Sequence, residues 1–227
     1  GSGGMVKRMS VEGHQGPLFD SDETAILWIS EEGPARLNVK TGQKLWVAST
    51  LKGFDAPATK TGFAEMQLEN GVVYAPFEQK LAAFRAADGS MVWSKPAEFK
   101  SGIGQMDVTP QGIVVRGVYM KDDNGKVKGK PFIDVVDAAT GASKWAKPFK
   151  DLQSATSYVI LDDKIYIGAD RELQEIDIAT GTVRSLLKFK FAGNEEPYIL
   201  QVKDGNSVLV SSQTVMNVSR SGTINFT

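Results

Sequence analysis

Asp137-Ala138-Ala139-Thr140-Gly141-Ala142-Ser143-Lys144-Trp145 is the stretch that decides the fold, because the chain repeats it. Asn38-Val39-Lys40-Thr41-Gly42-Gln43-Lys44-Leu45-Trp46 is the same pattern, and residues 84–93 carry it with Asp88-Gly89 at the turn and Trp93 at the end. Asp177-Ile178-Ala179-Thr180-Gly181 keeps the turn but brings Ser185 where the others have tryptophan, and Arg220-Ser221-Gly222 leads to Phe226. The five turn glycines, at 42, 89, 141, 181 and 222, stand 40 to 52 residues apart. That period suits one four-stranded propeller blade per repeat.

Each copy has a local physical logic. Glycine accepts the positive φ that a tight hairpin demands. The short polar residue before it (Thr41, Asp88, Thr140, Thr180 or Ser221) can bond back to the nearby backbone. The position four residues after the glycine shares a strand face with the second residue after the turn, so it can point into an interface between sheets. Upstream of the turns lie alternating apolar strands at 25–29, 72–74, 113–115, 165–167 and 208–210. A further strand precedes each of them, including those at 64–68, 105–108, 158–161 and 198–202, separated from them by turn signals such as Glu69-Asn70-Gly71 and Pro110-Gln111-Gly112. Helical periodicity is not sustained anywhere, and at most the connection at 51–61 holds a turn.

The expectation is therefore an all-β chain, a β-propeller of about five four-stranded antiparallel blades at about 12–50, 51–97, 98–149, 150–189 and 190–227. Residues 1–4 read as a cloning scar. Residues 5–11 align with the outermost strand of a preceding blade, so five blades and a stray strand look like part of a longer propeller. A closed five-bladed ring, or closure by a second chain, are the alternatives. An open propeller exposes sheet edges and apolar blade faces, which favours another protein or a second copy as partner.

Composition narrows function by exclusion. The 26 basic and 27 acidic residues nearly cancel, leaving neither a nucleic-acid footprint nor a polybasic membrane surface. No apolar run approaches the roughly 20 residues of a transmembrane helix. With no cysteine there are no disulfides, thiolate zinc sites or cysteine nucleophiles.

Individual residues give no catalytic, cofactor-binding or metal constellation. His14 is the only histidine and reads as a loop residue, with no Gly-x-Ser-x-Gly elbow to accompany it. Glu31-Glu32 and Glu195-Glu196 read as solvated loop charge. Asp122-Asp123-Asn124 lacks the alternating spacing and final glutamate of an EF-hand and reads as an exposed turn. Lys126, Lys128 and Lys130 alternate along one hairpin arm and read as a soluble edge.

The repeat resembles that of the pyrroloquinoline quinone-like (PQQ-like) propellers, with their tryptophan-docking motif. The resemblance runs from about residue 16 to 227, with three complete copies and two eroded ones. It implies that Trp46, Trp93 and Trp145 clamp neighbouring blades, with Gly42, Gly89, Gly141, Gly181, Gly222 and Phe226 as the other blade-docking residues. Trp28 falls on a different strand and reads as core. The catalytic branch binds PQQ and calcium and typically carries a vicinal disulfide, but this chain has no cysteine and is less than half the usual length. The closer likeness is to the non-catalytic branch, which includes the lipoprotein of the outer-membrane β-barrel assembly machinery. It implies a non-enzymatic binding or protein-interaction scaffold, without cofactor, in a periplasmic or extracellular setting. The alternatives are a fragment of a quinoprotein dehydrogenase, or a carbohydrate- or small-molecule-binding propeller using rim aromatics such as Phe54 and Tyr198.

Overall fold

Alternating strands and glycine turns fold into antiparallel sheets in which consecutive strands are neighbours. A computed structural model describes residues 17–29, 31–54, 64–122, 124–150, 152, 158–169, 171–189, 198–210 and 214–227. His14, Asp123, Glu195, Glu196, the strand at 5–11 and the side chain of Tyr198 lie outside that description. The chain divides into two compact units, 1–98 and 99–227.

The first unit holds two blades. One runs β1 (Leu18–Phe19), β2 (Thr24–Ile29), β3 (Gly33–Asn38) and β4 (Lys44–Val47), in that spatial order. The next runs β5 (Gln67–Glu69), β6 (Val72–Phe77), β7 (Lys80–Arg85) and β8 (Ala97–Glu98). In the second unit the third blade is built on β9 (Gly102–Thr109), β10 (Gly112–Val118) and β13 (Phe132–Val136). A separate two-stranded hairpin, β11 (Met120–Lys121) and β12 (Val127–Lys128), is inserted between β10 and β13. The fourth blade is β14 (Tyr158–Leu161), β15 (Lys164–Ala169), β16 (Glu172–Asp177) and β17 (Val183–Lys188). The fifth is β18 (Tyr198–Lys203), β19 (Asn206–Val210), β20 (Val215–Val218) and β21 (Ile224–Phe226). These are the four-stranded antiparallel blades of a β-propeller.

Blades two and three depart from the four-strand expectation at their outer strands. In blade two Met91 bridges Phe84, and pairing resumes only at Ala97. In blade three the fourth strand is reduced to bridges of Ser143 to Val136 and Phe149 to Ile133. Each gap contains Trp-x-Lys-Pro, ending at Pro96 or Pro148. Proline donates no ladder hydrogen bond and restricts the residue before it, so the edge strand breaks there. After Trp46 the matching position is Ser49 rather than proline, and β4 runs on unbroken to Val47.

The core lies between blade faces. Ile26 and Trp28 of blade one pack with Val73, Ala75, Phe77 and Phe84 of blade two. Ile133, Val135 and Phe149 of blade three meet Tyr158, Ile165 and Ile176 of blade four. Tyr166, Leu173 and Phe189 of blade four meet Leu209, Met216 and Val218 of blade five. Strand alternation gives a blade two faces, and in each of these pairs one of them meets the neighbour.

Candidate functional site

The repeated turns set the geometry. In blade one the Gly42 N–H donates to the Asn38 carbonyl at 2.8 Å, and Asn38 Oδ1 accepts from Lys40 and Thr41 at 2.9 and 3.0 Å. Asp137 repeats this with Ala139 and Thr140, and Asp177 with Thr180. The residue before the glycine also bonds as its type demands: Thr41, Asp88, Thr140 and Thr180 each accept an N–H from two residues ahead. The sequence reading assigned no role to Asn38, Asp137 and Asp177, although an Asn or Asp four residues before glycine, beside an already recognised turn, signals a capped turn. Blade five tightens the loop by one residue, so Gly222 donates to Ser219.

Two of the turn glycines lie under a tryptophan of the preceding blade. Trp46 Nε1 donates to the Ala86 carbonyl at 2.9 Å, and its ring covers Gly89 so closely that an added Cβ would come within 2.5 Å of it. Trp46 also meets Phe84 edge to face, with centroids 5.7 Å apart. Trp145 Nε1 donates to the Ile178 carbonyl at 2.8 Å, and a Cβ on Gly181 would lie 2.7 Å from its ring. Ala86 and Ile178 each stand three residues before the covered glycine. The φ values of Gly89 and Gly181, +75° and +77°, show that both turns need glycine for backbone as well as for space.

The remaining expected residues divide as follows. Trp93 is buried, its ring 6.2 Å from that of Tyr74, and Gly141 has φ +79°. Trp28 is a core residue whose indole donates to the Phe54 carbonyl at 3.3 Å. Gly42 has φ +73° but no described atom within 4 Å of an added Cβ. Phe226 is 55% exposed.

Between blades four and five, where tryptophan is replaced by Ser185, other groups make the contact. A Cβ on Gly222 would run into the Leu186 carbonyl oxygen, so the main chain of β17 occupies the space over this turn. Tyr166, buried on β15, donates to Glu175 at 3.0 Å and accepts from Arg220 in the fifth blade. Arg184 donates to the same Glu175 carboxylate at 3.2 Å. Burial first, and then the bond to Glu175, raise the Tyr166 pKa.

A second link joins the first strands of blades three and four, where Tyr158 donates to Asp107 at 2.6 Å. Burial, reinforced by the Asp107 charge, pushes the Tyr158 phenol well above its ordinary value. No motif marked these tyrosines, because their partners are distant in sequence. Asp134 is buried on β13, where it accepts from Ser143 at 2.9 Å and from its neighbour's N–H at 2.8 Å; desolvation raises its pKa.

The inserted hairpin is latched at its base. Buried Ser101 donates to the Lys130 carbonyl at 2.7 Å and accepts the Lys130 N–H at 2.8 Å, and Gly129 at φ +77° leaves no room for a Cβ beside it. Asp122 closes the tip by accepting from Asn124 and Lys126, in keeping with an exposed turn. Tyr119 and Val127 remain 47% and 56% exposed, alongside Lys121.

Glu32 pairs with Lys44 at 2.6 Å on the surface. Phe54 lies 5.2 Å from Phe77 with the Lys80 ammonium above its ring. Among the described residues no group of three His, Cys, Asp or Glu side chains could hold a metal ion, and no helix is long and apolar enough to cross a membrane.

A family model described as outer membrane protein assembly factor BamB matches residues 5–185. None of the curated proteins matches the chain. The fold is similar to that of the computationally designed Ika8 protein, with a TM-score of 0.52 and 16% identity over 92% of this chain and 56% of that one. It is similar to BamB from Moraxella catarrhalis, with a TM-score of 0.51 and 13% identity over 91% of this chain and 61% of that one. A chain of the Mitotic Checkpoint Complex gives 0.52 and 9% identity over 90% and 60%. The chain thus spans 56% to 61% of the length of these three structures.

Proposed function

From the premise that this chain belongs to the outer membrane protein assembly factor BamB family, as its match over residues 5–185 shows, we propose that it is a non-catalytic propeller scaffold of the bacterial cell envelope that binds another protein. Family membership carries this reading. The blades supply the rigid frame and the connections between strands supply the contacts. The Ser101-latched hairpin is the connection best built for this, because it holds Tyr119 and Val127 in solvent on a fixed base. An exposed tyrosine such as Tyr119 is a residue type enriched at protein interfaces and among their anchoring positions. Within the frame, Trp46 with Gly89 and Trp145 with Gly181 act as blade-docking pairs.

Cross-linking of the chain in envelope fractions, followed by mass spectrometry, should give a discrete adduct that the double substitution Tyr119→Ala, Val127→Ala removes without moving the melting temperature. An adduct indifferent to that substitution counts against the hairpin, and recovery of the chain only in the cytosolic fraction counts against the envelope. Titration with PQQ and calcium should leave the absorbance spectrum additive. Saturable PQQ binding would favour the quinoprotein reading.

A further inference from the structure

The hairpin inserted between β10 and β13 is a sheet of two strands only, so among the described residues each of its strands has one unpaired edge. The Asp122 N–H donates to the Lys126 carbonyl at 2.9 Å, which makes these residues a bonded pair across the hairpin. The next pair, Lys121 with Val127, is then of the non-bonded kind, and the N–H and C=O of each point away from the hairpin. Val127 thus turns an unpaired main chain outward from β12. The strand is also held in place, because buried Ser101 engages both the N–H and the C=O of Lys130. A fixed strand with an open edge is a template for another strand.

Side chains decide which strand fits. Val127 shares a face with exposed Tyr119, while Lys126 and Lys128, also exposed, flank it on the opposite face by strand alternation. Lys128 stands 3.5 Å from Asp122 with 56% of its side chain exposed, too solvated a pair to occupy the lysine. Residues 119–130 hold four lysines against two aspartates, in a chain of net charge −1. A second copy of this edge would meet its own lysines and be repelled. An acidic strand instead places a carboxylate opposite each lysine. The connection between the strands carries Asp122 and Asp123, negative charge where a loop entering an anionic lipid surface needs apolar or basic groups.

We propose that β12 accepts an extended acidic segment of a partner protein as a third strand, with Val127 exchanging main-chain hydrogen bonds and Lys126 and Lys128 facing carboxylates two residues apart. The inference rests on reading this hairpin as a docking connection, and it adds what the hairpin recognises. The partner strand alternates acidic, apolar, acidic, and its apolar side chain lies beside Val127 and Tyr119. Main-chain bonds supply the binding, and the lysines select the sequence.

Fluorescence anisotropy of the full chain with a short labelled peptide of alternating glutamate and valine tests this. Binding should saturate, weaken as salt rises, and be lost when lysine replaces the glutamates. Methylating the valine amides removes their donors without touching the charge, and should abolish binding. The double substitution Lys126→Glu, Lys128→Glu turns two cross-strand pairs from attractive to repulsive, so it should weaken the glutamate peptide about tenfold and admit the lysine peptide instead. Val127→Pro removes only an outward N–H, so the melting temperature should hold while the peptide is lost. No binding of the glutamate peptide, equal binding of the methylated one, or a charge-reversed chain that still prefers glutamate overturns the proposal. So does binding to phosphatidylglycerol vesicles in preference to the peptide. In envelope fractions, an adduct that survives Val127→Pro but not Tyr119→Ala, Val127→Ala overturns strand addition and leaves the docking reading standing. An adduct indifferent to all these changes removes both.

Discussion

Gly42 and Gly89 have nearly the same φ, +73° and +75°, yet only Gly89 lies beneath a tryptophan. Alanine at either site incurs the left-handed penalty of about 1–2 kcal/mol. At Gly89 the new methyl also strikes the Trp46 ring, adding overpacking of about 1–3 kcal/mol. Chemical denaturation should therefore rank Gly89→Ala below Gly42→Ala in stability, and equal losses would mean that the ring contact contributes nothing. On the other side of the pair, Trp46→Ala should cost about 3–5 kcal/mol. Trp46→Phe, which keeps much of the ring but loses the bond to the Ala86 carbonyl, should cost nearer 1 kcal/mol from that bond.

At the scale of the strand, the fourth blade shows that a motif cannot be repaired by its consensus residue alone. The β17 main chain already lies over Gly222, and its bulge falls at Leu186, after Ser185, whereas the β4 bulge falls at Leu45, before Trp46, so Ser185→Trp places a large ring in a different register. That substitution should lower the melting temperature rather than raise it. The turns and the repeated aromatics were legible because glycine, its polar neighbour and tryptophan recur within one short segment. Which carbonyl receives each indole was not, since Trp46 and Ala86 are 40 residues apart. The same holds for Tyr158 with Asp107, 51 residues apart. The broken outer strands had a readable sign in Pro96 and Pro148, whereas the latch at Ser101 had none, because serine is common in any connection. Ser101→Ala should remove two hydrogen bonds at the hairpin base and leave the Lys130 backbone short of a partner, at about 1–3 kcal/mol. Hydrogen exchange at Lys130 should then accelerate.

Across the whole molecule, ionisable groups set opposite pH limits. Ser90 holds Asp88 below the usual carboxylate range, the Lys126 N–H does so for Asp122, and Lys164 for Asp177. A depressed carboxyl binds fewer protons folded than unfolded, so its stabilisation is present above about pH 4 and is lost as pH falls from there through the lower value of the folded state. Asp134, raised by burial, opposes this trend. At the alkaline end Tyr158 and Tyr166 are raised, so their contribution is complete below about pH 10 and is lost above it. Melting curves should thus decline on both sides, with Asp177→Asn flattening the acid limb and Tyr158→Phe the alkaline one. The blade-to-blade contact also has a direction: each repeat can hold an aromatic plug at its outer strand and a glycine socket at its turn. A segment of one whole period, copied in tandem within a gene, arrives with both parts already matched to its neighbours. Such an array can lengthen by duplication without inventing a new interface, whereas an insertion of half a period would strand one plug or one socket.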